Sequence, residues 1–254
     1  MDSLAQKVAL VTGVTRRQGI GAAVALALAR AGADVATAYY RPYDRAMPWG
    51  VKDSEPEEIV GELRATGVRA HGFEIDLAQT DGPRRLVELA REQFGRIDIL
   101  VNNAAYSTET TVEGISAVDL DRHYAVNLRA VMLLSVEFVR AFPAGGAGRI
   151  INLTSGQGTS PLPNELAYAA TKGGVEAFTL SLSAAVAPQG ITVNAVDPGP
   201  TDTGWMGAAL RESLLSAAPM GRLGMPQDAT RLITFLASDG GWVTGQVIRS
   251  RGGS

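Results

Sequence analysis

The sequence predicts an α/β fold in which a mostly parallel, seven-stranded sheet is doubly wound, with helices on both faces. Three observations carry this. Short β-branched runs alternate with longer segments of helical period. The strand runs are apolar, as parallel strands buried on both faces must be. A glycine-rich stretch, Thr12 to Gly21 (TGVTRRQGIG), stands between the first strand run and the first helical segment, the layout of a phosphate-binding turn.

The elements follow in order. Lys7–Thr12 (KVALVT) is the first strand, and the alanine-rich Ile20–Ala31 is the first helix. Asp34–Tyr40 is the second strand. A fifteen-residue connection follows, Arg41 to Glu55 (RPYDRAMPWGVKDSE), where βα loops usually run to ~2–6 residues. Its Tyr43, Met47, Pro48 and Trp49 argue for a packed loop. Pro56–Thr66 reads as helix, Arg69–Ile75 as strand, Thr80–Phe94 as helix and Ile97–Asn102 as strand. Ser116–Ala141 reads as one long helix, Arg149–Leu153 as strand, Tyr168–Ala187 as helix and Thr192–Val196 as strand. Gln227–Ala237 and Gln246–Ile248 complete the alternation as helix and strand. The stretch from about 203 to 225 has the length and the Gly and Met content of a mobile lid, with Trp205, Met206 and Leu210 as an apolar wall. No repeat, low-complexity tract or linker divides the chain, so we read one domain over residues 1–254.

Composition excludes several classes of function. The 254 residues are 46% hydrophobic, enough for a full core, and carry a formal net charge of −3 with scattered Arg and Lys. Nucleic acids and anionic membranes both ask for clustered positive charge, so neither is expected as a partner. No cysteine is present, which removes disulfides and thiolate metal sites, and His71 and His123 lack partners of metal or triad type, so no metal is expected and both are read as structural. No apolar run approaches the ~20 residues needed to cross a bilayer, and a cytoplasmic protein is the default.

In a doubly wound sheet, ligands collect outside the carboxyl ends of the strands, where the strand order reverses. The glycine loop lies there. Its glycines let backbone amides approach a pyrophosphate, and the helix from Ile20 offers unpaired N–H groups and a positive dipole end. The same glycines also suit a plain strand-to-helix turn. A dinucleotide with a free ribose 2′-OH is usually held by an acid at the end of the second strand, whereas a 2′-phosphate asks for Arg. Here that strand ends Tyr39-Tyr40-Arg41. Arg41, with Arg16 or Arg17, would clamp a 2′-phosphate, which favours NADP(H) over NAD(H); Asp44 is the rival ribose ligand.

Tyr168 and Lys172 stand four apart at the start of a helix, on one face. With three lysines and six tyrosines in the chain, such a pair arises by chance about 0.07 times. Ser155 precedes Tyr168 by 13 residues, just after the fifth strand.

Taken with the loop ending GIG, Asp76, NNAA at 102–105, Asn127 in AVNLRA, DPGPTDT from Asp197 and a C-terminal TGQVI, these residues resemble the short-chain dehydrogenase/reductase family over essentially the whole chain. The resemblance implies a Rossmann fold and hydride transfer between a nicotinamide and a small-molecule carbonyl or secondary alcohol, with 3-oxoacyl-carrier-protein reductases among the similar members. It implies that Tyr168 gives or takes the proton, that Lys172 favours the phenolate and binds the nicotinamide ribose, that Ser155 holds the substrate oxygen, and that Asn127 holds a water linking Lys172 to solvent. For the cofactor it implies Gly13, Arg16, Arg17, Gly19, Ile20 and Gly21 in the loop, with Arg41, Asp76, Leu77, Asn103, Ala104, Ala105, Tyr168, Lys172, Pro198, Gly199, Thr201 and Thr203. Asp76 as a helix cap, Asn127 as a polar helix residue and Pro198-Gly199 as a simple turn stay open. Subunit contacts in the family imply a homotetramer, with a homodimer as the smaller alternative.

Three features depart from the family pattern: five residues between the first two loop glycines where three are common, alanine at 105 where NNAG is usual, and the long segment after Arg41. The two lengthened loops are expected side by side, as a collar over the adenosine 2′ and 3′ positions. Two other readings stand beside the NADP(H)-dependent one: an NAD-dependent alcohol or sugar dehydrogenase, and a dinucleotide sensor without turnover.

Overall fold

The computed structural model describes residues 3–253. Seven strands, β1 (Val8–Thr12), β2 (Asp34–Tyr39), β3 (Ala70–Glu74), β4 (Ile99–Asn102), β5 (Gly148–Leu153), β6 (Ile191–Asp197) and β7 (Val247–Arg249), form one sheet in the order β3-β2-β1-β4-β5-β6-β7. Every pairing is parallel, β7 included.

Strand side chains alternate between two cores because successive residues point to opposite faces. Ala9 and Val11 of β1 enter one core with Val24 and Leu28 of α1 (Ile20–Arg30) and Ile233 and Leu236 of α9 (Pro226–Ala237). Val8 and Leu10 enter the other with Leu86 and Ala90 of α4 (Gly82–Phe94) and Leu134 and Phe138 of α6 (Ala130–Ala141). Each such leucine, fully buried, contributes about 2 kcal/mol. The order reverses between β1 and β4, so the crevice for a ligand opens above Thr12–Gly13 and Asn102–Asn103.

Three elements differ from the sequence expectation. The connection after β2 opens with a short helix, α2 (Arg41–Ala46), and Pro42 sits at its start, where its fixed φ suits the first turn; α3 (Glu55–Arg64) follows. The single helix expected over 116–141 is three pieces: α5 (Ala117–His123), a π-helical stretch (Tyr124–Arg129) and α6. The apolar pattern runs on through the π stretch, so periodicity alone does not mark it. The stretch from about 203 to 225, expected as a lid, holds a helix, α8 (Ala208–Ser216), whose side chains are all at least partly exposed. Among the described residues no helix is long and apolar enough to cross a membrane.

Candidate active site

The glycine loop is shaped by close packing against the end of β4. Gly13 has φ of 73°, which favours glycine, and a Cβ there would lie 2.7 Å from Asn103 Nδ2. A Cβ on Gly21 would lie 2.4 Å from the Gly13 carbonyl oxygen. Asn103 Nδ2 donates to the Thr12 and Gly13 carbonyls (2.8 and 3.1 Å), while Asn103 N and Ala104 N both donate to Thr12 Oγ1 (3.0 Å each). The Asn103 side chain therefore binds the loop to β4. No side chain caps the first turn of α1, so the helix presents its amino end to the crevice, as a diphosphate site requires.

The expected arginine clamp is not assembled. Arg41 is bound to Glu74 through Nε (3.0 Å) and NH2, donates to the Asp53 carbonyl (2.6 Å) and pairs with Glu57. Arg17 is exposed and pairs with Glu58 and Glu62 of α3. Arg16 turns inward: Nε meets Asp44 Oδ1 at 3.1 Å, the guanidinium covers the Trp49 ring, and NH1 donates to the Thr203 carbonyl at 3.0 Å. Asp44 is buried and also accepts from Trp49 Nε1, so it belongs to Arg16 and Trp49. Each arginine found a nearer acid on α2, α3 or β3, which linear spacing did not show. The segment after β2 thus reaches beyond its own loop: Arg16, bound to Asp44 in it, also reaches the Thr203 carbonyl, and its Tyr43 reaches Ser107.

Past β3, Asp76 accepts from Ala78 N (2.8 Å) and Gln79 Nε2 (3.0 Å), while α4 has Asp81 at its N-cap; Asp76 caps a turn ahead of the helix. Leu77 is buried beside it. After β6, Gly199 N donates to Asp197 Oδ1 (2.9 Å) and Thr201 Oγ1 donates to the Gly199 carbonyl (3.1 Å), so Pro198-Gly199 is held in a tight turn. Asp197 itself is buried and paired with Arg251 at 2.9 Å, and Arg251 lies against Gly156 and Gly199. The sequence reading did not include that pair.

Ser155 follows β5, and α7 (Leu166–Val186) carries Tyr168 and Lys172 on one face. The Ser155 hydroxyl faces the Tyr168 phenol. Lys172 Nζ donates to the Leu153 carbonyl (2.7 Å) and lies 5.5 Å from the Tyr168 ring centroid. Burial pushes the Lys172 ammonium down to about 8. Burial also holds the Tyr168 phenol above its usual range, outweighing the Ser155 hydroxyl. The lowering expected from Lys172 is not seen, because desolvation penalises both charged forms, and the phenol keeps its proton.

Asn127, fully buried in the π stretch, accepts from Tyr106 N (2.7 Å) and donates to the Tyr106 carbonyl (2.8 Å) and Thr171 Oγ1 (3.2 Å). Its amide donors are spent on the loop after β4 and on α7. His123 is buried with Thr108 N donating to Nε2, as a structural histidine should be; His71 lies against Phe73 on β3. Trp49 packs against Tyr43 and Arg16, whereas Trp242 is 99% exposed. Among the described residues no cluster suits a metal ion.

A family model described as enoyl-(acyl carrier protein) reductase matches residues 13–254. The chain is 45% identical over 256 residues to an uncharacterized oxidoreductase, YjdA, of Bacillus subtilis, covering 100% of this chain and 98% of that protein. Among solved structures, the promiscuous reductase LugOII, which catalyses keto-reduction at C1 during lugdunomycin biosynthesis, matches with a TM-score of 0.86 and 37% identity over 98% of both chains. A short-chain dehydrogenase from Burkholderia cenocepacia in complex with NADP gives 0.87 and 34%, again over 98% of both chains. The all-parallel sheet, the crevice above β1 and β4 and these similarities lead to one conclusion: the chain belongs to the short-chain dehydrogenase/reductase family, oxidoreductases that act on C=O and CH–OH groups with a nicotinamide cofactor.

Proposed function

We propose that this protein reduces a small-molecule ketone or aldehyde with NADPH, and that Tyr168 supplies the proton. The observation that carries the reading is the meeting of Ser155, Tyr168 and the buried Lys172, with the Ser155 hydroxyl facing the phenol, Lys172 Nζ 5.5 Å from its ring centroid and the phenol held protonated. When bound, the nicotinamide cofactor supplies the hydride. Tyr168 passes its hydroxyl proton to the oxygen of the carbonyl being reduced, and Ser155 holds that oxygen as negative charge builds on it. Lys172, with N–H groups left after its bond to Leu153, would stabilise the resulting phenolate and would hold the nicotinamide ribose. Asn127 keeps the neighbouring loop in place. Gly13, Gly19, Ile20 and Gly21 would hold the diphosphate, Asp76, Leu77 and Asn103 to Ala105 the adenosine, and Pro198, Gly199, Thr201 and Thr203 the nicotinamide amide.

The preference for NADP(H) rests on Arg41 at the end of β2, where no acid stands, and draws support from the NADP complex of the Burkholderia relative. Arg41 would exchange Glu74 for the 2′-phosphate. That existing Arg41–Glu74 pair is the one observation favouring NAD(H). Dissociation constants for NADPH and NADH, in wild type and Arg41→Ala, decide it: a preference for NADPH that Arg41→Ala leaves untouched would remove Arg41 from the role.

NADPH oxidation with a panel of aromatic ketones, 3-ketoacyl thioesters, aldehydes and quinones tests the activity. We expect turnover with at least one of these and a fall of about 10³-fold in kcat for Tyr168→Phe, in keeping with loss of a positioned acid. Turnover that survives Tyr168→Phe would sink the mechanism. Tight NADPH binding with no turnover on any substrate would favour the sensor.

We propose a homotetramer as well. Leu180, Met132, Tyr124, Phe235, Trp242 and Val247 are exposed large apolar side chains. Such side chains suit burial against further copies of the chain.

A further inference from the structure

The segment after β4 has no strand partner at Tyr106, Ser107 and Thr108, yet its backbone is bonded there at every residue. Asn127 takes Tyr106, its Oδ1 accepting from N–H and its Nδ2 donating to the carbonyl. The Tyr43 hydroxyl takes Ser107, accepting from N–H and donating to the carbonyl, both at 3.2 Å. His123 Nε2 takes the Thr108 N–H at 3.3 Å, while its Nδ1 faces the Asp119 carbonyl at 2.7 Å. Three side chains from three places thus stand in for a neighbouring strand.

The holds are packed together. The Tyr106 ring lies 5.4 Å from the Tyr43 ring and 4.9 Å from the His123 ring. Two residues further on, Thr110 fastens the segment to the start of α7: Thr110 N donates to the Asn164 carbonyl (2.8 Å), Leu166 N to the Thr110 carbonyl (3.1 Å) and Ala167 N to Thr110 Oγ1 (3.1 Å). Tyr168 follows directly. A rigid span therefore joins the residue held by Asn127 to the helix that carries Tyr168 and Lys172, and Tyr43 clamps its middle.

We propose that Tyr43 is a positioning residue for the reaction, and that through it the long connection after β2 acts on the catalytic end of the crevice. This rests on the reading of Asn127, Tyr168 and Lys172 given above. A hydroxyl that is donor and acceptor at once is the one group a tyrosine offers that a phenylalanine of the same shape lacks. Burial pushes the Tyr43 phenol up to about 12, so it keeps the proton it donates to Ser107.

The test is Tyr43→Phe, with Arg45→Ala as control; Arg45 sits in the same helical turn and makes an exposed ion pair with Asp53. In the protein without cofactor, we expect amide hydrogen exchange over residues 106–108 to accelerate on the order of tenfold in Tyr43→Phe, the loss of one buried hydrogen-bonding group, with exchange in the strands unchanged. In turnover we expect kcat to fall about fivefold on the same grounds, with the NADPH dissociation constant unchanged. Unchanged exchange, or unchanged kcat, overturns the proposal, as does an equal effect from Arg45→Ala. A wild-type protein that binds NADPH but reduces nothing sinks the reductase reading, and the exchange measurement still judges the clamp.

Discussion

Lys172 shows how a residue suited to chemistry weighs on the fold. Its ordinary pKa is 10.5 and burial brings it to about 8, so between those values the folded chain binds fewer protons than the unfolded one, and stability rises with pH across that window. Below about 8 the cost of the buried charge is carried in full. Lys172→Met should therefore raise urea stability at pH 7, by about 1–2 kcal/mol once the lost bond to the Leu153 carbonyl is set against the relieved burial. The advantage should shrink by pH 10. Equal stabilities at pH 7 would refute the account. Tyr168 and Lys172 were legible as neighbours because four-residue spacing on a helix places side chains together wherever the helix lies, and Ser155 joins them from the loop after β5. The partners of Arg16 and Arg41 were not, since Asp44 and Glu74 lie 28 and 33 residues away in sequence.

At the scale of elements, the strand–loop–helix unit is held by an approach that only hydrogen permits. A methyl at Gly21 would meet the Gly13 oxygen at 2.4 Å and Asn103 Nδ2 at 2.6 Å, backbone and a fixed amide respectively. Gly21→Ala should cost about 2 kcal/mol by overpacking and weaken NADPH binding, as read by thermal unfolding with and without the cofactor. A variant as stable as wild type that also binds normally would show the loop to be looser than its geometry. The π stretch at Tyr124–Arg129 belongs to the same scale. π turns inside α-helices often lie at functional sites, and this one buries Asn127 against the loop after β4.

The proposed tetramer belongs to the whole molecule. Leu180 is 63% exposed on α7 and Trp242 is 99% exposed before β7, and Leu180 lies beside Gly245 of the segment that carries Trp242. If these side chains are subunit contacts, sedimentation equilibrium gives four times the 26.6 kDa chain mass, and Leu180→Glu or Trp242→Asp each lowers it. A monomer in wild type would end the proposal.

Hydrophobic periodicity determined the layers, the parallel sheet and the order of strands along the chain, because burial on both faces leaves an apolar run wherever a strand must lie. Local spacing determined the Tyr168 and Lys172 pair, and the alternation of strand and helix put Ser155 at the same edge of the sheet, because elements that sequence alone predicts carry all three. What only the tertiary structure decided is which groups meet across the crevice. The Ser107 backbone met Tyr43 from 64 residues away, Thr203 met Arg16 from 187 residues away, and Arg41 met Glu74 before any phosphate. Those pairings depend on how β2, β4 and β6 are ordered side by side, and on which acid reaches an arginine first. Neither is written in the period of the chain.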